Sequence, residues 1–220
     1  NSGFANKTSK LTAINSETGQ NLWETEKLKG QMLDIVGNRA GRFSGDGDDV
    51  AAGAESALHY MGFETVSGKL LFEGIIKDKA DLYANEKGSK FMPRLDLDGH
   101  AAPTFEGDFM YLAYSGLHKI DTNSGNVVWG APFDVTEGHF KRTNASPLVS
   151  GDLVFSSAKG IIRAFDKNSG AARWTSADFG AAIPELQLHN GVLLARMGGT
   201  YYETNKRAFE LKKPLGIVAL

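Results

Sequence analysis

Four stretches of this chain fit one eleven-residue frame: "AINSETGQNLW" (13–23), "GFETVSGKLLF" (62–72), "KIDTNSGNVVW" (119–129) and "AFDKNSGAARW" (164–174). All three tryptophans of the protein, Trp23, Trp129 and Trp174, stand at its last position, and Phe72 takes that place in the second copy. The copies start 49, 57 and 45 residues apart, and a truncated fifth is read from Ala219, where "GIVAL" parallels "GIIRAF". A period near 50 residues means that one supersecondary unit is repeated along the chain.

Each frame position has a physical reason. The acid or amide at the third place (Asn15, Glu64, Asp121, Asp166) can accept bonds from the amides of the turn that follows. Glycine at the seventh place (Gly19, Gly68, Gly125, Gly170) can take a positive φ and close that turn. A large ring at one fixed place per repeat is best used as a wedge between neighbouring repeats, with its N–H bonded there. Trp23, Trp129 and Trp174 are therefore expected to be structural and largely buried, with Phe72 filling the same slot.

The frame is preceded by apolar alternating runs such as "FMYLAYSGLHKI" and "LVFSSAKGIIRAF", each broken by a small residue as a hairpin would be. "VAAGAESALHYMGF" has a helical look through its alanines, but it overlays these runs and is read as strand. Before them come "AAPTFEGDFMY", "ASPLVSGDLVF" and "AAIPELQLHNGVLL", each placing Pro ahead of a short strand and a Gly-Asp or Asn-Gly reversal. The unit is then about four strands per ~50 residues, which is a β-propeller blade. The fold expected is all-β: a propeller of four-stranded antiparallel blades, about four to four and a half of them, forming a single domain over 1–220. Both ends fall within a blade, so the domain is expected to be incomplete at both ends, with open sheet edges available for association.

At these residues the sequence resembles the PQQ-like repeat of quinoprotein-type β-propellers, and the frame is similar to that family's tryptophan-docking motif. No Trp-Asp pair occurs, which separates it from WD40 repeats. The resemblance implies one of two activities. The family includes PQQ-dependent dehydrogenases, and it includes cofactor-free scaffolds such as a propeller lipoprotein of an outer-membrane assembly machine. The dehydrogenases with alcohol substrates carry a vicinal cysteine disulfide over the quinone, and this chain has no cysteine. No calcium-ligating Glu-Asn-Asp set or catalytic Asp can be carried over residue by residue.

Composition narrows the partners. Lys+Arg 24 against Asp+Glu 26 gives a net charge of −2, which argues against nucleic acid or an anionic membrane surface. No apolar run approaches the ~18 residues of a membrane span. Without cysteine, disulfides and thiolate metal sites are excluded.

The most suggestive loop is "FSGDGDDVAAGAE" (43–55), where Asp46, Asp48 and Asp49 offer clustered oxygens to a calcium ion. The alternative is a solvated acidic hairpin turn like "SGD" at 150–152. The five histidines (59, 100, 118, 139, 189) show no metal spacing, although His59 and His118 lie on motif strands that could face an axial channel. "MGGTYYETNKRAFELKKPLG" (197–216) reads as an insertion whose Tyr201, Tyr202, Lys206, Arg207, Lys212 and Lys213 could meet an acidic partner or a glycan, or form a solvated hairpin extension. Lys141 and Arg142 give the 137–146 connection a positive charge. No nucleophile–base pair or phosphate loop is evident, and no catalytic or cofactor-binding residue is assigned.

The reading is a non-catalytic propeller serving as a binding or assembly scaffold with a protein partner and no cofactor, placed in the periplasm or outside the cell by the resemblance. The alternatives are part of a PQQ- and calcium-dependent quinoprotein dehydrogenase, and a calcium-stabilised adhesion propeller resting on the Asp46 loop.

Overall fold

The structure is a computed structural model that describes residues 8–26, 28–29, 32–36, 39–46, 57–77, 102–113, 116–132, 145–158, 160–180, 182–203 and 208–220. Every regular element among them is a strand. The chain forms two compact units, 1–97 with 121–126 and 98–120 with 127–220.

The first unit holds β1 (Thr8–Ser9), β2 (Thr12–Ile14), β3 (Asn21–Glu24), β4 (Leu28–Lys29), β5 (Met32–Val36), β6 (Arg39–Asp46), β7 (Ala57–Glu64) and β8 (Leu70–Lys77). β5 to β8 form a four-stranded antiparallel meander, while β1 pairs with β4 and β2 with β3. The strand reading holds for Ala57–Met61, and 50–56 lie outside the described residues.

The second unit holds β9 (Thr104–Glu106), β10 (Phe109–Ala113), β11 (Gly116–Asp121) and β12 (Val127–Pro132) in one meander. Another follows with β13 (Leu148–Ser150), β14 (Leu153–Ala158), β15 (Ile161–Asp166) and β16 (Ala172–Thr175). The last sheet has three strands, β17 (Glu185–His189), β18 (Val192–Glu203) and β19 (Ala208–Ala219). Pro103, Pro147 and Pro184 stand immediately before β9, β13 and β17, where a missing N–H costs no ladder bond. The reversals predicted at Gly107, Gly151 and Asn190-Gly191 all carry positive φ.

Alternation along β14 explains how the second unit packs. Val154 and Ala158 face a cluster with Tyr111, Leu117 and Phe165. Phe155, on the opposite face, joins Ile162, Ala164, Ile183, Leu186, Leu193 and Ala195. The middle sheet is thus buried on both faces, as stacked blades require. Within this core the Ser157 hydroxyl donates to Ile183 O at 2.7 Å.

The repeat is visible bond by bond. In all four frames the first residue pairs with the eleventh, as in Ala13↔Trp23 and Gly62↔Phe72. Lys119↔Trp129 and Ala164↔Trp174 follow the same register, and all four ladders shift between frame positions one and two. That bulge lets the outer strand bend away after the turn. The turn is equally constant. The seventh-place N–H donates to the third-place carbonyl at 2.7–2.9 Å, with φ of the glycine between 70° and 75°. The third-place side chain caps it, as Asn15 Oδ1 does for the amides of Glu17 and Thr18.

Gly62 shows why the first place is kept small in the second frame. A Cβ built there would lie 2.1 Å from Cε1 of Phe72, the ring lying directly across the ladder. Gly62→Ala should therefore destabilise by about 1–3 kcal/mol through overpacking. Adding Phe72→Leu should recover part of that loss, as read from a urea-unfolding double-mutant cycle. Strict additivity of the two changes would contradict the contact.

Candidate functional site

Two of the repeats are joined to the next by the same kind of contact. Trp23, at the end of the first frame, lies against the turn of the second frame, where a Cβ on Gly68 would be 2.6 Å from its Cδ2. Its Nε1 donates to Thr65 O at 2.8 Å, the fourth place of that frame. Trp129 repeats this on the fourth frame. A Cβ on Gly170 would be 2.7 Å from its Cδ2, and Nε1 donates to Lys167 O at 3.1 Å, again the fourth place. Glycine is required at the seventh place twice over, for its φ and for the ring above it.

The second frame departs from expectation. Phe72 is buried, but its ring covers Gly62 of its own sheet and not the third turn. The third turn is met instead by the backbone of Glu73, the Cβ of Phe72 and the hydroxyl of Tyr60, which donates to Gly125 O at 2.6 Å. Tyr60 thus supplies the polar bond that a phenyl ring cannot. The sequence gives no frame position to Tyr60, so only the cross-strand geometry reveals it.

The expectation of largely buried tryptophans needs correcting. Trp23 and Trp129 are half-buried, and Trp174 is 36% exposed. Trp174 packs its ring 5.9 Å from that of Phe155, and no repeat turn lies on its other side among the described residues.

The third frame carries a lysine at its first place. Lys119 is buried, stands 4.0 Å over the ring of Phe109, and donates to Lys167 O at 3.1 Å. Burial, then the charge of Lys167, lowers its pKa, while Glu106 and Asp166 act in the opposite sense. Lys167 itself pairs with Glu106 at 3.1 Å. Burial, aided by Glu106, pushes the Tyr111 phenol up to about 12. This arrangement ties two sheets together, and it holds no paired carboxylates and no nucleophile beside a base.

The predicted candidates are dispersed. Asp46 ends β6 opposite Ala57, while Asp48 and Asp49 lie outside the described residues. Among the described residues no group of three His, Asp or Glu could hold a metal. His59 pairs in register with Ser44 and Ile75, His118 faces Gly130 across the ladder, and His189 bonds Asn190. His100, His139, Lys141 and Arg142 lie outside the described residues. The 197–216 stretch lies largely within two long strands, β18 and β19, with Tyr201↔Glu210 and Tyr202↔Phe209 in register. Lys206 and Arg207 lie outside the description, and Lys213 is exposed.

A feature not foreseen from the sequence is the outer strand of each frame. In the first three frames its tenth place exposes Leu22 (56%), Leu71 and Val128, and its ninth place exposes Leu70 and Val127 in the second and third but Asn21 in the first. In the fourth frame the tenth place is Arg173, which bonds Asp166 at 2.5 Å. Among the described residues no helix is long and apolar enough to cross a membrane.

Two measurements check the joints. Trp129→Ala should cost about 3 kcal/mol, the low end for large aromatic truncations. Tyr60→Phe should cost about 1–2 kcal/mol for the lost bond, and Trp174→Ala no more than that, by urea unfolding at low protein concentration. Equal losses at Trp129 and Trp174 would contradict the asymmetry. The Asp166 carboxyl is held well below the usual range, first by the Ser169 amide and then by Arg173. A depressed folded pKa contributes stability in full above about pH 4 and loses it as pH falls further. The acid-side fall in melting temperature should therefore be shallower in Asp166→Asn, which keeps the turn-capping oxygen but no charge.

Comparison with known proteins follows this geometry. A family model described as outer membrane protein assembly factor BamB matches residues 7–202. The crystal structure of BamB from Moraxella catarrhalis superposes with a TM-score of 0.56 at 15% identity, covering 91% of this chain and 65% of that one. The computationally designed Ika8 protein gives 0.55 at 15% identity, covering 90% and 51%. The designed Ika4 protein gives 0.54 at 14%, covering 88% and 98%. The chain spans less than two thirds of the BamB and Ika8 chains. No curated protein matches the sequence. With four repeat turns, stacked antiparallel sheets and a family match over most of its length, the chain belongs to the PQQ-like repeat family of β-propellers described as outer membrane protein assembly factor BamB.

Proposed function

We propose that the chain is a non-catalytic scaffold that binds partner proteins outside the cytoplasm during assembly of outer membrane proteins. The family match supports the setting. The observation that carries the binding role is the recurrence of an exposed aliphatic residue at the tenth place of the outer strands: Leu22 on β3, Leu71 on β8 and Val128 on β12, with Leu70 and Val127 beside the last two. Single exposed apolar residues are ordinary on any protein. The same place kept apolar in three successive repeats gives each of these outer strands an apolar contact suited to a protein partner. The charge of −2 suits a partner chosen by shape and apolar contact more than by polyanion attraction.

The test uses purified components of an outer membrane protein assembly machinery, with affinity measured by calorimetry. Wild type should bind one component, and Val127→Asp with Val128→Asp should weaken that binding at least tenfold while the melting temperature stays within a few degrees. Unchanged affinity would remove the outer strands from the role. Saturable binding of PQQ with calcium-dependent dye reduction would replace the scaffold reading altogether.

A further inference from the structure

The outer strands that close the four frames, β3, β8, β12 and β16, are all sheet edges among the described residues. An edge leaves a row of N–H and C=O groups free to pair, and proteins blunt such rows by keeping the strand short, by charge or by proline. Three of the four follow that rule. β3 and β16 have four residues each, β16 carrying Arg173, and β12 ends on Pro132. β8 departs from it. It runs for eight residues, Leu70–Lys77, without a proline, and pairs with β7 over that length. It exposes Leu70 (43%), Leu71 (37%) and Ile75 (50%), with exposed Glu73 between the last two. Phe72 and Ile76, which alternate with them, are buried. The exposure belongs to the place, because Val128 and Pro132, which hold the places of Leu71 and Ile75 on β12, are exposed too.

We propose that β8 pairs antiparallel with β8 of a second copy about a twofold axis through Ile75, joining the two β5–β8 sheets edge to edge. Strand alternation puts Leu71, Glu73, Ile75 and Lys77 on one face. That face is self-complementary in one register. With Ile75 opposite Ile75 of the other copy, Glu73 stands opposite Lys77 and Lys77 opposite Glu73. The axis thus generates one apolar pair flanked by two pairs of opposite charge. A register centred on Glu73 sets like charges face to face, and one centred on Gly74 sets each Glu73 against an isoleucine. A second copy is the occupant because the strand matches itself, as an interface with twofold symmetry demands.

The same register provides selective variants. Ile75→Lys sets a charge against its own copy on the axis, at a residue that is half exposed in the free chain. Glu73→Lys and Lys77→Glu each turn both flanking pairs into like charges. Mixed, these two variants restore opposite charge at both contacts. The changed residue of one then faces the changed residue of the other, and the two unchanged residues still match. Val66 is the control, since it is 77% exposed but lies in the turn before β8, outside the ladder.

Sedimentation of the 220-residue chain over a wide concentration range, at low ionic strength where charge pairs are least screened, tests the proposal. Wild type should dimerise, and Val66→Lys should leave the dissociation constant unchanged. Ile75→Lys should raise it about tenfold or more, and Glu73→Lys and Lys77→Glu about fivefold each. An equimolar mixture of Glu73→Lys and Lys77→Glu should regain the wild-type affinity. Should Ile75→Lys fail to fold, the two charge variants and their mixture carry the same test. A wild type that stays monomeric overturns the proposal. So does association insensitive to Ile75→Lys, or a mixture no tighter than its two components alone. The pairing stands apart from the scaffold reading, whose test lies on β12, so either can fail without the other.

Discussion

A ring resting on a residue with no side chain is the interaction on which this architecture depends. A meander of four short strands cannot bury both faces alone. Here the first and third units lend their last aromatic to the turn of the next, and that turn is shaped to take it. The capping side chain at the third place and the glycine at the seventh hold the turn in one conformation. The indole then buries apolar area while its N–H finds a carbonyl at a constant place. The bulge after the first frame residue belongs to the same device, because it sets the register that puts residue one opposite the ring.

Much of this was legible in the residues. The spacing of the tryptophans and Ser-Gly turns announced the repeat, and the Pro and Gly-Asp signatures placed β9, β10, β13 and β14. Local chemistry determines these features, so a single sequence can show them. The exchange of roles between Phe72 and Tyr60 was not legible. It depends on which of two rings on adjacent strands lies over which glycine, a matter of cross-strand packing. The exposure of Trp174 was equally hidden, since a frame position specifies a ring's place on its own sheet and says nothing of what covers it. Lys119 was missed because hydrophobic patterning assigns lysine to the surface. Only the fold shows its stem buried and its ammonium over Phe109.

The functional site resisted sequence reading for a different reason. Catalytic constellations are recognised by unusual residue pairs at fixed spacing. A binding surface made of leucine and valine uses the commonest core residues and differs only in facing outward. Leu71 and Val128 look in sequence like any strand residue, and their exposure is a property of the outer strand. The residues that did attract attention, the aspartates around Asp46 and the tyrosines at 201 and 202, owed it to their rarity in such patterns.

The direction of the seating has a consequence for how the chain comes to be folded. Trp23 and Trp129 each wait on a glycine that lies further along, Gly68 by 45 residues and Gly170 by 41. During synthesis, which runs from the first residue to the last, a finished repeat therefore carries an uncovered indole until the following turn has emerged. Trp23 is held only once Gly68 has been made, and Trp129 only once Gly170 has. At these two boundaries the nascent protein presents an uncovered indole, and the partner able to cover it is the next stretch of the same chain. The first and third repeats are thus completed by their successors, and a pause in synthesis just before either turn leaves an indole open to whatever else is near.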